Sequence, residues 1–333
     1  MVELWYALVA LAVCAYVVLD GFDLGAGALH LFVARTDDER RAVISAIGPY
    51  WDGNEVWLLA IAGALFVAFP TVLAAAFSGM YLAMFLVLWA LAFRGVSLEL
   101  RGQSTNELWR AMWDFVFGVS SASLPVLFGL ALGNLLRGFP LDERGMVVLP
   151  LFVDFTPAPP TGLVDWYTAL VALFALVALV VHAALFLAGR TGGDLRARSA
   201  GAARALLPAS LVLWAACGAA STRVASLTMR PLAAFFVALA LAAFTAMFLL
   251  QRRERYAQAF VASAVFLASN LAGVAAAAFP MLLRSVNETA SVTAYAAASS
   301  PHALRVGASW FPLGLAGIVT LFVRHYRAGR PAK

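Results

Sequence analysis

The chain has 333 residues, of which 63% are hydrophobic and only 12% charged, with a mean hydropathy of +0.87. A soluble domain of this length carries about a quarter of its residues as charges, so a mainly water-facing surface is excluded and lipid must cover most of the exterior. The net charge of +5 and pI of about 9.6 do not signal nucleic-acid binding: the 22 arginines and one lysine lie mostly between apolar runs, and no basic run carries interleaved aromatics.

Backbone groups in lipid need internal partners, so the spans are helices or a closed barrel. The apolar runs are too long for barrel strands and do not alternate, which makes the fold all-α. Met1 to Glu3 lacks the positive flank of a cleaved signal peptide, so the first run, Leu4 to about Val33, reads as a retained span. Asp20 and Asp23 lie inside it. From Val56 to Phe93 no residue is charged, which is too long for one crossing, and Pro70 splits the run into spans two and three, 56–69 and 71–93. The fourth span is expected over 115–136, the fifth over 166–189 with His182 inside it, the sixth over 205–222 and the seventh over 231–251. The eighth runs over 256–283 and ends at Pro280, and the ninth covers 306–323. The whole of 1–333 is thus one transmembrane domain of nine helices.

The positive-inside rule sets the orientation. Seventeen Lys and Arg residues fall on one side of these spans and six on the other. The richer side is cytoplasmic, which puts the N-terminus outside and the C-terminus inside a bacterial inner membrane. The long outer connections are the proline-rich 137–162 and the stretch 284–305. The second holds Asn287-Glu288-Thr289, a glycosylation sequon that reads as a chance match. Cys14 and Cys217 both lie in apolar spans without a Cys-x-x-Cys pattern and are expected to be core residues.

Acids inside a span are costly and need a reason. Asp20 and Asp23 are three residues apart, on one helical face and towards the cytoplasmic end of span one. Gly21 and Gly25 form a small-xxx-small pair with Gly27 beyond, which lets another helix approach closely. The second cluster is Pro49-Tyr50-Trp51-Asp52-Gly53-Asn54-Glu55-Val56-Trp57, at the inner end of span two. Asp52 could be an N-cap with Glu55 as its capping-box partner and Trp51 an interfacial residue, or Asp52 could carry protons. Arg94, Glu99, Arg101 and Asp114 fall on the same side, and Arg94 with Glu99 reads as a surface pair. Histidines are few: His30 lies near the inner end of span one, His302 and His325 in or near loops, and only His182 deep in a span, where no partner is evident. A haem held by two histidines would need a facing pair. No metal cluster, nucleophile triad, phosphate loop or dinucleotide fingerprint is present.

Two segments carry a family resemblance. Leu19-Asp20-Gly21-Phe22-Asp23-Leu24-Gly25-Ala26-Gly27 is the first, and Ile47-Gly48-Pro49-Tyr50-Trp51-Asp52-Gly53-Asn54-Glu55-Val56-Trp57-Leu58 the second, continuing through Phe69-Pro70 to Ser78-Gly79. Together, in this order, they resemble the N-terminal signature of cytochrome bd oxidase subunit II. Weaker likeness extends to Trp109-Arg110-Ala111-Met112-Trp113-Asp114, Leu132-Gly133-Asn134-Leu135-Leu136 and Tyr295-Ala296-Ala297-Ala298-Ser299-Ser300.

The resemblance implies a nine-helix subunit of a quinol oxidase, forming an obligate heterodimer with a subunit I of the same fold. Subunit I would carry two b-type haems, one d-type haem and the quinol site. None of the haems would be ligated by this chain. The family's proton-path residues carry over to Asp20, Asp23 and Asp52, with Trp51, Glu55, Arg94 and Asp114 as possible supporting groups. Small accessory subunits and the cyanide-insensitive variant of the enzyme stay open. So does a structural quinone or lipid, because the connection 221–230 is shorter than in some relatives. Two other readings compete: a proton-coupled transporter using the same acids, and a purely structural membrane partner.

Overall fold

A computed structural model describes residues 1–141, 150–225, 227, 229–286 and 291–328. The sequon and residues 142–149 of the long connection 137–162 lie outside these residues. The chain is built from helices in the order α1 (Val2–Leu19), α2 (Gly21–Val33), α3 (Asp37–Ile47), α4 (Trp51–Ala68), α5 (Pro70–Gly79) and α6 (Tyr81–Leu100). A 3₁₀ turn over Arg101–Gln103 leads to α7 (Glu107–Arg137), α8 (Trp166–Arg190), α9 (Gly193–Val224), α10 (Pro231–Arg252) and α11 (Tyr256–Ala278). Strands β1 (Met281–Leu283) and β2 (Val292–Thr293) pair antiparallel, and α12 (Ala294–Ala297) and α13 (Pro301–Ala328) follow.

Among the described residues, eight helical stretches are long and apolar enough to cross a membrane, with α1 and α2 counted as one. The pair α4–α5, bent by 120°, makes nine if it is one crossing. The protein is therefore a multi-pass, mainly helical membrane protein, but several expected boundaries move. Pro70 does end α4, yet it starts a new helix at its favoured first position. The chain thus turns through α5 before α6 begins at Tyr81, and the third span is not 71–93. The expected eighth span, 256–283, is the helix α11, which stops at Ala278, and residues 281–283 are strand rather than span. Span one is interrupted at Asp20. Spans four, six and nine extend past their apolar runs, because charged and polar residues continue those helices beyond the hydrocarbon zone.

Caps explain the starts of the polar-flanked helices. Thr36 and Glu39 form a capping box at α3, Asn106 accepts from the Leu108 and Trp109 N–H groups at α7, and Asp165 caps α8 with Thr168 reciprocating. At the centre, α2 is wedged between α7 and α8. A Cβ on Gly25 would lie 2.2 Å from the Leu179 carbonyl oxygen and 2.6 Å from Ala183 Cβ, and one on Gly27 would lie 2.1 Å from Ser121 Oγ. The small residues noted in sequence therefore do permit close helix approach. Helix α1 packs on α4 and α11, and α13 on α4. Rows of exposed apolar side chains, including Phe85, Trp89 and Phe93 on α6 and Trp310 and Leu313 on α13, form the outward surface.

Candidate functional site

Both acids of the first motif are fully buried. Asp20 occupies the junction between α1 and α2, and Asp23 the first turn of α2. Arg94, from the inner half of α6, reaches Asp20 Oδ1 with Nη1 at 2.8 Å and binds Glu55 Oε1 with Nη2. Arg94 is itself buried, so it is not the surface partner of Glu99 that its spacing suggests. Although Glu99 is only five positions further on, Arg94 turns inward to two carboxylates, Asp20 at the α1–α2 junction and Glu55 of α4.

Asp23 has a different neighbour. Asn54 Nδ2 donates to Asp23 Oδ2 at 2.7 Å and to the Leu19 carbonyl at 2.8 Å. Asp20 thus faces a cation and Asp23 an amide. Five buried polar atoms in this group meet no hydrogen-bonding partner: Tyr16 Oη, Asp20 Oδ2, Asp23 Oδ1, Asn54 Oδ1 and Arg94 Nε. Each is a donor or acceptor still able to bond.

Asp52 lies in the first turn of α4 and is exposed, while Trp51 packs near Gly95 of α6. The capping-box alternative does not hold. Tyr50 is the N-cap, without a side-chain cap bond, and Glu55 turns to Arg94. An acid in the first turn is still favoured by the helix dipole.

Asp114 belongs to a separate network. Its carboxylate takes His30 Nε2 at 2.6 Å, Arg101 Nε at 2.5 Å and Arg40 Nη1 at 3.0 Å. Arg101 and Arg110 continue to Asp37 at 2.8 Å each, and Arg198 ties Glu39 and the Val33 carbonyl. Burial alone would raise Asp37, but Arg41, Arg101 and Arg110 outweigh it and hold the carboxyl below its ordinary range. This network fastens α3 onto α2 and α7.

His182 does have partners: Nδ1 lies 2.6 Å from Ser263 Oγ and Nε2 3.0 Å from the Val18 carbonyl. With both ring nitrogens engaged, it offers no free nitrogen to a haem iron. Among the described residues no group of three His, Cys, Asp or Glu could hold a metal ion. Asn54 and the true partners of His182 were missed in sequence. Asn54 stands inside a motif where the acids draw attention, and a backbone carbonyl leaves no sequence signal. A further cavity of about 300 Å³ lies between α1, α7 and α11, with Arg230 and Arg284 in its lining.

The family profile described as cytochrome bd terminal oxidase subunit II matches residues 1–328. The chain belongs to that family. It is 33% identical to cytochrome bd-I ubiquinol oxidase subunit 2 of Escherichia coli (strain K12), over 96% of this chain and 91% of that protein. It is 36% identical to cytochrome bd ubiquinol oxidase subunit 2 of Bacillus subtilis (strain 168), over 59% of this chain and 56% of that protein. Among solved structures, a chain of the bd oxidase from Geobacillus thermodenitrificans superposes with a TM-score of 0.73 at 17% identity, covering 98% of both chains, which shows a shared fold. As a subunit II, the chain is part of an oxidoreductase complex that contains a subunit I and haem. The transporter reading finds no support among these relatives.

Proposed function

We propose that the chain is the subunit of a quinol:oxygen oxidoreductase that ligates no haem through its own histidines. It pairs with a subunit I that carries the b-type and d-type haems, and lines a cytoplasmic proton route with Asp20, Asp23 and Asp52. The quinol comes from the names of the Escherichia coli and Bacillus subtilis relatives. Reduction of oxygen to water consumes protons, which must reach a site buried in the membrane. The 17 to 6 charge split supports a cytoplasmic location for the Arg-rich ends, with the N-terminus outside.

One observation carries the route: two buried carboxyls stand side by side, and only one of them faces a cation. Arg94 is paired with Asp20. Asp23 has an amide donor and an unmet oxygen, which leaves it free to take and release a proton. The unmet atoms around them supply the donors and acceptors that a short chain of waters needs. Asp52, exposed at the start of α4, extends the line towards bulk water, with Trp51 and Glu55 beside it. Asp114, compensated by two guanidiniums and His30, acts in the α3 latch rather than in proton transfer. A quinone tail or lipid chain would fit the cavity between α1, α7 and α11.

The test is oxygen consumption by the purified complex. Asp23→Asn and Asp52→Asn should each lower turnover strongly while haem absorbance and subunit ratio stay unchanged. Full turnover in both variants would refute the route. Loss of assembly would favour the purely structural partner.

A further inference from the structure

The last turn of α1 ends inside the protein, at the junction that carries Asp20. The final carbonyls of a helix lack intrahelical partners, and within a membrane they cannot be left to water. Two side chains reach them here. Asn54 Nδ2 donates to the Leu19 carbonyl at 2.8 Å, and His182 Nε2 lies 3.0 Å from the Val18 carbonyl. A carbonyl only accepts, so Nε2 must carry a proton. In the neutral ring Nδ1 is then an acceptor beside the Ser263 hydroxyl, 2.6 Å away, whose one hydrogen also has the Phe260 carbonyl within reach at 2.7 Å. Phe260 stacks on the imidazole at 4.5 Å and 20°, and Phe22 closes another side. The ring is fully buried and bridges α8 to α1 and α11.

We infer that His182 is a positioning residue for the Asp20–Asp23 pair: by donating its Nε2 proton to the Val18 carbonyl, it fixes the backbone junction on which both carboxyls stand. The inference rests on the proton-route reading and adds a residue to it. His182 acts through the backbone of 18–20, not by contact with either carboxyl. Asn54 holds the adjacent carbonyl and Asp23 together, so the two side chains secure the junction from α8 and from α4. A histidine that merely filled the core would affect how long the complex survives and nothing else. A positioning histidine also sets how well the acids exchange protons.

The experiment uses the assembled oxidase. His182→Phe keeps the stacking surface on Phe260 and removes both hydrogen bonds. Haem absorbance and subunit ratio should remain parental, while turnover falls about ten- to a hundredfold, the range expected for a misplacement near 1 Å. The infrared carbonyl band of Asp23, assigned by its disappearance in Asp23→Asn, should shift. His182→Gln, whose amide can donate to the Val18 carbonyl, should recover part of the turnover. Ser263→Ala, which removes the polar neighbour of Nδ1 while leaving the ring, should give a smaller fall and a smaller shift in the same direction. Parental turnover with an unshifted band in assembled His182→Phe overturns the inference. Should His182→Phe fail to assemble, the same parental result in Ser263→Ala overturns it. Loss of turnover in Asp23→Asn beside parental behaviour of the His182 variants defeats this inference alone. Full turnover of Asp23→Asn defeats the proton route, and this inference with it.

Discussion

Replacing Arg94 by Met removes the cation from a pair in which both side chains are buried, with Nη1 and Oδ1 2.8 Å apart. At an effective dielectric constant of about 20, charges at that distance attract by roughly 6 kcal/mol. Most of this offsets the cost of taking both ions out of water, so the pair is worth little against an apolar substitute. Deleting one partner is different, because it leaves an uncompensated charge and typically costs about 3–5 kcal/mol. Glu55 adds little to that loss, since it is partly exposed and can be hydrated. Asp20→Asn alone should be milder, because Arg94 keeps Glu55. Combining Arg94→Met with Asp20→Asn should then recover most of the stability lost in Arg94→Met. The assay is survival of haem absorbance and subunit association in the purified complex after graded heating, with the order parent, double variant, Arg94→Met. Survival of Arg94→Met equal to the parent, or a double variant no better than Arg94→Met, would show that the stability of the complex does not rest on the Arg94–Asp20 pair.

Gly25→Ala would push a methyl against the Leu179 backbone carbonyl, 2.2 Å away. Backbone cannot give way cheaply, so the cost should reach about 1–3 kcal/mol or more, read as a lower yield of assembled complex; a parental yield would mean α2 and α8 are looser than described. Asp37 is held below its ordinary range, so its stabilising bonds are present at neutral pH and are lost as pH falls through that lowered value, below about 4. Hydrogen exchange in 37–47 should therefore accelerate on acidification in the parent and respond less in Asp37→Asn. Single cysteines placed at 154 and at 295 should react with an impermeant reagent from outside, and one at 194 should not; labelling of position 194 from outside would reverse the proposed orientation.

How far the sequence could be read depends on the range of the interactions involved. The cost of an acid in an apolar run is local, so Asp20 and Asp23 stand out without a structure, and the glycines beside them announce a close helix contact that Leu179 and Ser121 supply. The partners are not local. Arg94 lies 74 positions from Asp20, Asn54 lies 31 from Asp23, and His182 lies 164 from Val18. Nothing in a window of one helix selects them, and the nearby Glu99 was the natural but wrong partner for Arg94. Asp114 was read together with the other acids, and only the fold separates its contacts with His30, Arg40 and Arg101 from the Asp20–Asp23 pair. The break at Pro70 was legible, whereas the extra helix after it was not, because proline ends one helix and begins the next with equal ease.

At the opposite end of the bundle, Arg137 and Asp165 join the end of α7 to the start of α8. Arg137 also binds Asn134 Oδ1 and the Gly162 carbonyl, and Asp165 caps its own helix. Gly138, at φ +108°, then releases the chain sideways, a conformation that favours glycine. The outer connection therefore leaves and re-enters the bundle through one clamped point. That clamp, rather than the chain beyond it, keeps the ends of the two helices together. Replacing Arg137 or Asp165 therefore loosens both helix ends at once, whereas a change confined to the connection leaves the clamp intact.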